Sequence, residues 1–205
     1  MRSEHQPQSG LLMASLVFAS RNGRLPSRKG PGLLCLIRHF SSKAQISYRI
    51  SVSCSAKGRP FNSEKTCYNF DPYSALGLIP ENLNMKSKRQ NRPGSGEDAF
   101  FVSRVGNDPM AVAFGVADGV GGWSEFRIDP ADFSHGLCNY MAKSALRWSH
   151  PVEKLRPKNL IQMGYNMLLE DGSISAGGST ASVGVAQKDG RLELAKYGFL
   201  LSFDS

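Results

Sequence analysis

The sequence has few cysteines and no hydrophobic run long enough to cross a membrane as a helix. Only four cysteines occur in 205 residues, which excludes a disulfide-dense secreted scaffold. The longest apolar runs, at residues 11–19 and 33–37, fall short of the roughly 20 residues that a membrane helix needs. Hydrophobic residues still make up 40% of the chain, which is typical of a folded domain rather than of a disordered protein. We therefore expect no stable membrane insertion.

Acidic residues are scarce in the N-terminal third, and this explains the net charge of +8. Residues 1–70 contain 11 Lys or Arg against two acids, whereas residues 71–205 contain 14 Lys or Arg against 15 Asp or Glu. A basic module that binds nucleic acid or anionic lipid through residues 1–70 is one functional hypothesis. The near-neutral remainder argues against it, because the basicity does not belong to the domain itself. We therefore expect no nucleic-acid partner.

Residues 10–50 contain no Asp or Glu and are rich in Arg, Ser and Leu. This composition is typical of a mitochondrial transit peptide, an intermittently helical cationic segment that the membrane potential attracts. The sequence RHFSS at residues 38–42 also resembles a matrix-processing site, with Arg before an aromatic residue and small residues after it. We interpret residues 1–45 as a mitochondrial targeting segment and expect the protein in the matrix. A disordered basic tail that binds anions loosely is the alternative.

Beyond that segment, the hydrophobic pattern predicts pairs of strands and helices. Residues 46–96 are interpreted as a linker with the start of the domain, and the polar residues 81–96 within it as a loop. The order strand, strand, helix, helix, strand, strand favours antiparallel sheets with helices packed outside. In chain order, we predict strands at 99–105 and 110–117, helices from Asp129 and over 160–168, and a hairpin that turns at Asp189 and Gly190.

We interpret the histidines and cysteines of the domain as ordinary structural residues rather than as catalytic or metal-binding ones. His135 is expected on the surface of the first helix, and His150 is expected in a loop. Cys138 falls on the apolar side of the same helix, which predicts a buried thiol. The other cysteines lack the spacing of a metal site.

Three carboxylates are predicted to meet at the open end of the first hairpin. A turn at residues 107–108 places Glu97 opposite Asp118 and Asp98 opposite Ala117, within a register error of one or two residues. Neighbouring like charges need compensation by a raised pKa, a basic partner or a divalent cation. Mg²⁺ and Mn²⁺ prefer oxygen ligands, so a metal site is one hypothesis. Solvated acidic residues of a turn are the other.

Glycines follow Asp118 at positions 119, 121 and 122. We expect them to let the backbone turn sharply, and we expect the Gly119 carbonyl to be able to face a cation. Nucleotide-binding motifs are excluded at this point. A P-loop ends in Gly-Lys-Ser/Thr and a dinucleotide fold needs G-x-G-x-x-G, and the sequence supplies neither.

Five short motifs carry a family resemblance: residues 96–102 (GEDAFFV), 114–123 (FGVADGVGGW), Asp129-Pro130, Phe133-Ser134 and 178–181 (GSTA). They resemble the metal-dependent protein phosphatases of type 2C, the PPM family. The VGGW extension, with Asp129-Pro130 and Phe133-Ser134 after it, is similar to the mitochondrial branch of that family. The resemblance runs from about residue 70 to residue 199. It implies an α+β fold, an α-β-β-α sandwich of two antiparallel sheets flanked by helices. Residues 97–205 would be the N-terminal portion of that phosphatase domain.

The resemblance also implies a reaction and the residues that perform it. The implied activity is hydrolysis of phosphoserine and phosphothreonine in a phosphoprotein substrate by metal-activated water, with two Mn²⁺ or Mg²⁺ ions as cofactors. Asp118 would bridge the ions, Glu97 would bind one directly or through water, and the Gly119 carbonyl would complete a position. Asp98, which would hold metal-bound water, and Asp118 are the implied catalytic residues. Arg92, five residues before Glu97, is the implied phosphate ligand.

Two features of that family are missing from the sequence. After residues 192–195 (LELA) the family continues with Asn-Leu-Gly-Asp-Ser-Gly, whereas this chain continues with residues 196–199 (KYGF) and stops at Ser205. The two later metal-binding aspartates of the family have no counterpart. We therefore expect a C-terminally truncated product whose incomplete sandwich exposes strand edges and apolar faces. A catalytically inactive product that acts at most by binding is the alternative, and the sequence makes no prediction about oligomeric state.

Overall fold

Two antiparallel sheets and several helices make up the described residues, 11–20, 46–80 and 83–201, of this computed structural model. This confirms the α+β class. The first sheet has the order β1 (Leu11–Ser20), β2 (Ile46–Ser55), β3 (Cys67–Asn69), and the second has the order β4 (Ala99–Val105), β5 (Asp108–Gly119), β6 (Gly177–Ala186), β7 (Leu192–Leu201). The helices are α1 (Ser63–Thr66), α2 (Met85–Gln90), α3 (Pro130–Leu146) and α4 (Pro157–Glu170), with 3₁₀ turns at Gly121–Phe126 and Val152–Lys154.

The β4–β5 hairpin lies between two hydrophobic cores because apolar residues occupy both faces of each strand. Phe100 of β4 faces the first sheet and packs with Val52 of β2. Phe101, its neighbour, faces the opposite side and packs with Leu137 and Met141 of α3. Alternate side chains of a strand point to opposite faces, so a continuous apolar run is what a doubly covered strand requires. The prediction of a strand covered on both sides is confirmed.

Helix α3 begins where its sequence predicts. The Asp129 carboxylate accepts a hydrogen bond from the Ala131 amide at 3.0 Å, and Pro130 occupies the first helical position. Cys138 is buried on the apolar face and His150 is exposed in the following loop, so both interpretations are confirmed. In the part of the chain that the structure describes, no helix combines the length and the apolar content needed to cross a bilayer.

Four elements, β2, α1, β3 and α2, lie in stretches that the sequence pattern assigned to linker and loop. Strand β2 buries every second residue from Tyr48 to Cys54, and polar residues lie between them. The alternation that predicts a strand is therefore present in the sequence, and assigning these residues to a linker overlooked it. Helix α2 forms inside the predicted 81–96 loop, and the Asn84 side chain accepts a hydrogen bond from the Ser87 amide at 2.9 Å at its start. The helix buries none of its residues, so its sequence has no apolar periodicity that would predict a helix.

The predicted targeting segment contains a strand where its composition favoured a helix. Strand β1 pairs antiparallel with β2 from Leu11 opposite Ser55 to Ser20 opposite Ile46. The ladder satisfies backbone groups on one edge of β2, which a helix in the same place would not do. The other parts of the segment, 1–10 and 21–45, lie outside the described residues, and its targeting role stays a prediction.

The face of the second sheet that is turned towards the first sheet is incompletely covered at β7. Strand β7 is bonded only to β6 among the described strands, and its Leu194 side chain is 71% exposed. An apolar cavity of about 430 Å³ lies between the sheets and is lined by Phe100, Phe114 and Leu194 among others. The expected exposure of strand edges and apolar faces is confirmed for this part of the chain.

Candidate active site

The carboxylates of Glu97, Asp98 and Asp118 lie at the end of the β4–β5 hairpin that is remote from its turn. Ala99 pairs with Ala117, so Asp98 comes opposite Asp118 across the strand pair, and Glu97 precedes Asp98 by one residue. Glu97 and Asp118 are exposed, and Asp98 is half-buried. The structure therefore brings together the three acids that the sequence selected.

The register that joins them differs from the predicted one. Glu97 was expected opposite Asp118 and Asp98 opposite Ala117, and the observed register is shifted from this by one residue, within the expected error of one or two. The ladder shifts through a bulge at residues 104–105, next to the turn. Extra residues in one strand displace every pair beyond them, and an apolar pattern does not reveal where they are inserted.

The glycines after Asp118 serve close approach rather than a left-handed turn. None of Gly119, Gly121 and Gly122 has a positive φ. Strand β5 ends at Gly119 and a 3₁₀ turn begins at Gly121, where the sequence predicted a change of chain direction. A Cβ on Gly121 would lie 2.6 Å from Oε2 of Glu97, and one on Gly119 would lie 2.5 Å from the Glu97 carbonyl oxygen. A Cβ on Gly122 would meet nothing within 4 Å. Two of the three glycines thus make room for Glu97.

The surroundings of Asp98 shift the pKa of its carboxyl group. Burial raises its pKa to about 6, and the charge of Asp118, a hydrogen bond shared with Asp118 and the charge of Glu97 act in the same direction. Ionising all three carboxylates is therefore unfavourable in this environment. The site holds an excess of negative charge that a bound cation would neutralise.

Helix α3 fixes the loop that carries the acids. Ser134 Oγ donates to the Glu97 carbonyl oxygen at 2.5 Å, and Nε2 of His135 lies 3.2 Å from the Gly96 carbonyl oxygen. His135 is only 3% exposed, so its expected place on the helix surface is wrong. Its burial, followed by the charge of Arg92, lowers its pKa to about 4. A buried, neutral histidine of α3 thus contacts the backbone of the loop that carries the acids.

Arg92 is held by acids of α3. Its guanidinium pairs with Asp129 at 3.0 Å and with Asp132, and Arg89 also pairs with Asp132 at 2.6 Å. The Arg92 side chain is 10% exposed, and burial lowers its pKa. The predicted phosphate ligand therefore lies beside the acids but is already bound to two carboxylates.

The three acids line an open cleft of about 960 Å³. Its walls also carry Lys57 and Arg59 from the loop after β2, together with Arg89 and Arg92. No sequence motif contains Lys57, Arg59 or Arg89, so the sequence did not predict their place in the cleft. The only signal for the first two was a basic turn, which is common on protein surfaces.

The residues fit part of a site for a hard cation. Glu97 and Asp118 would supply carboxylate oxygens, and Gly119 would supply a carbonyl oxygen in the same cleft, a donor set that suits Mg²⁺ or Mn²⁺. Across the described ranges, however, no three His, Cys, Asp or Glu side chains are gathered closely enough to hold a metal ion. Water or further residues would have to complete the coordination.

Comparison with known proteins decides the family. The chain is 32% identical over 170 residues to protein phosphatase 2C homolog 7, mitochondrial, of Saccharomyces cerevisiae, covering 78% of this chain and 48% of that relative. The chain belongs to the protein phosphatase 2C (PPM) family. It is also 32% identical over 171 residues to the protein phosphatase PTC7 homolog fig of Drosophila simulans, covering 80% of this chain and 50% of the relative. A third type 2C relative is the PTC7 homolog of Xenopus laevis, 33% identical over 107 residues, covering 50% of this chain and 33% of the relative.

These relatives confirm the mitochondrial branch of the type 2C family and, through the yeast protein, a mitochondrial localisation. The matrix stays a prediction. The chain spans about half the length of the yeast and Drosophila relatives that it matches. No family model matches the chain, and no solved structure matches it.

Proposed function

We propose that this protein is a metal-dependent protein phosphatase that hydrolyses phosphoserine and phosphothreonine in proteins. The observation that supports this most directly is the meeting of Asp98 with Asp118, beside Glu97, at an open cleft with a cationic rim. Membership of the type 2C family supports the reaction class. The proposed substrate is a phosphoprotein, and the proposed compartment is the mitochondrial matrix.

Each acid has a separate proposed role. Asp118 and Glu97, with the Gly119 carbonyl, would hold two Mn²⁺ or Mg²⁺ ions, which when bound make water more acidic and neutralise charge on the phosphate. Asp98, which is mostly ionised above its pKa of about 6, would orient the attacking water through its carboxylate. The hydrolysis needs no covalent bond between phosphate and the protein.

Arg92 keeps a proposed role in phosphate binding. It lines the same cleft, and a guanidinium has five N–H donors, of which its carboxylate partners need only some. Asp129 and Asp132 hold the guanidinium in one place, which favours binding of a planar or bidentate group. The pairs also weaken its attraction for phosphate, so we expect a smaller role for it than for the acids.

The test is Mn²⁺-stimulated hydrolysis of a phosphopeptide by the complete protein. We expect Asp118→Asn to lower kcat/KM by about a hundredfold, because it removes one carboxylate from the metal site. Glu170→Gln is the control, since Glu170 is exposed at the end of α4 and lies outside the cleft. Unchanged activity in Asp118→Asn, or no uptake of Mn²⁺ in titration calorimetry, would contradict the proposal.

Binding without catalysis is a second candidate function. It is favoured by the absence, in the described part of the chain, of three side chains gathered for one metal ion. The 205-residue chain itself decides between the two. Turnover of phosphopeptide above a metal-free blank rejects the non-catalytic alternative.

A further inference from the structure

A tight turn after β2 forms one wall of the acidic cleft. The Arg59 amide donates to the Ala56 carbonyl oxygen at 3.1 Å, and Ser55 Oγ donates to the Arg59 carbonyl oxygen at 3.2 Å. Gly58 has a φ of +73°, which permits the left-handed step within the turn. The turn thus holds Lys57 and Arg59 on a defined short segment rather than on a long loop.

This turn lies directly against the loop that carries the acids. A Cβ on Gly96 would be 3.1 Å from Cβ of Ala56 and 4.0 Å from the Lys57 amide nitrogen. Gly96 immediately precedes Glu97. The contact between the two loops places Lys57 next to the acidic cluster, although about 40 residues separate them in sequence.

Lys57 and Arg59 differ from the other cations of the cleft. Arg89 and Arg92 are each paired with both Asp129 and Asp132. Lys57 and Arg59 are exposed, and the structure gives them no ion-pair partner among residues 11–20, 46–80 and 83–201. Unpaired cations beside a cleft attract anions from solution, whereas paired ones do so weakly.

We propose that Lys57 and Arg59 bind acidic residues that flank the phosphorylated residue of the substrate, and that they give the protein a preference for acidic phosphopeptides. The proposal rests on the proposed phosphatase function and names the substrate class of that site. With the phosphate directed to the carboxylate end of the cleft, neighbouring substrate residues lie against the turn. Two unpaired cations there favour Asp or Glu in those positions and disfavour Lys or Arg.

The test measures peptide binding by the 205-residue chain in the presence of Mn²⁺, with non-hydrolysable phosphonate analogues in place of phosphoserine so that hydrolysis does not occur. Fluorescence anisotropy compares three peptides: a Glu-flanked phosphonate peptide, the same peptide without the phosphonate, and a Lys-flanked phosphonate peptide. At low salt, the double variant Lys57→Glu/Arg59→Glu should lose about tenfold in affinity for both Glu-flanked peptides and none for the Lys-flanked one. The milder double variant Lys57→Ala/Arg59→Ala should lose less affinity for the two Glu-flanked peptides and again none for the Lys-flanked one. Circular dichroism checks that both double variants fold.

The matched control is Lys154→Glu/Lys158→Glu, which makes the same change of charge at exposed positions outside the cleft. It should leave all three affinities within about twofold. An equal loss in this control, or equal binding of Glu- and Lys-flanked peptides by the wild type, would overturn the proposal. Hydrolysis of p-nitrophenyl phosphate with Mn²⁺ reports on the phosphatase function separately, so failure of catalysis and failure of flank recognition are distinguishable.

Discussion

At the scale of single residues, Gly121 matters because it has no side chain and so leaves room for one carboxylate oxygen of Glu97. A Cβ on Gly121 would lie 2.6 Å from Oε2 of Glu97, and that oxygen ends a flexible side chain. We predict that Gly121→Ala displaces the carboxylate and lowers Mn²⁺ affinity by about tenfold. The free energy of unfolding should change by less than about 1 kcal/mol. Titration calorimetry measures the affinity, and urea unfolding measures the stability.

Gly122→Ala provides the control, because its Cβ would meet nothing within 4 Å. It should change neither Mn²⁺ affinity nor stability appreciably. Equal Mn²⁺ affinity in the two variants would show that room for Glu97 is not what position 121 contributes.

His135 gives a residue-scale prediction about pH. Its pKa is lowered to about 4 in the folded protein, whereas in the unfolded chain it stays near 6.5. Protonation therefore favours unfolding, so the stability it contributes is complete above pH 6.5 and is lost as pH falls towards 4. Between pH 7 and pH 4.5 the loss should be about 2–3 kcal/mol, and His135→Gln should remove it.

Urea unfolding of the wild type and His135→Gln at both pH values tests this. Asp98 acts in the opposite direction, because its raised pKa makes its stability contribution complete at low pH and lost as pH rises through about 6. That contribution is common to both proteins and cancels in the comparison. The same pH slope in both proteins would rule out a buried neutral histidine.

At the scale of secondary-structure elements, ion pairs rather than buried side chains hold helix α2 against the rest of the fold. None of its residues is buried, and six residues are too few for a helix to be stable alone. Lys88 pairs with Asp171 at 3.0 Å, and Arg89 pairs with Asp132 at 2.6 Å. Arg92, just after the helix, adds its own pairs to α3. One wall of the cleft therefore depends on charges contributed by other elements.

Asp132→Asn tests this arrangement. Asp132 and Arg92 have side chains only 9% and 10% exposed, so removing the carboxylate leaves a buried guanidinium with less compensation. We expect a loss of about 3 kcal/mol in the free energy of unfolding and faster hydrogen exchange in α2. The exposed pair of Asp189 with Arg191 offers the control, since Asp189→Asn should cost less than about 1 kcal/mol. Equal costs would contradict the role assigned to the Asp132 pair.

At the scale of the whole molecule, the β4–β5 hairpin contributes side chains to two hydrophobic cores. One lies between this hairpin and helices α3 and α4, and the other lies between the two sheets. Strand β1 extends the first sheet only through its edge with β2. Loss of β1 therefore opens the β2 edge but leaves the described contacts between the sheets in place.

A chain that begins at residue 46 tests this directly. We predict that it keeps its far-UV circular dichroism spectrum and the slow hydrogen exchange of β4, β5 and β6. Amides on the freed edge of β2 should exchange at least about tenfold faster, because they lose the partners that β1 supplies. Global loss of protection in β4–β6 would show that the second sheet depends on β1.

Much of the site was predictable because it is encoded in short motifs. The pair Glu97-Asp98 before an apolar run and Asp118 at the end of the next run indicated one hairpin end, and the structure places all three acids there. Helix α3 was equally predictable from its Asp129 cap. The pairing of Asp98 with Asp118 was not, because a bulge near the turn shifts the register.

By itself, the sequence determined the strands and helices with strong periodicity, the acidic motif and the family, because these depend on residues close together along the chain. Only the tertiary structure decided which residues surround the acids. His135 is buried because α3 packs behind the acidic loop, and Lys57 reaches the cleft because the turn after β2 contacts Gly96. Such contacts join residues far apart in sequence, and no local pattern encodes them.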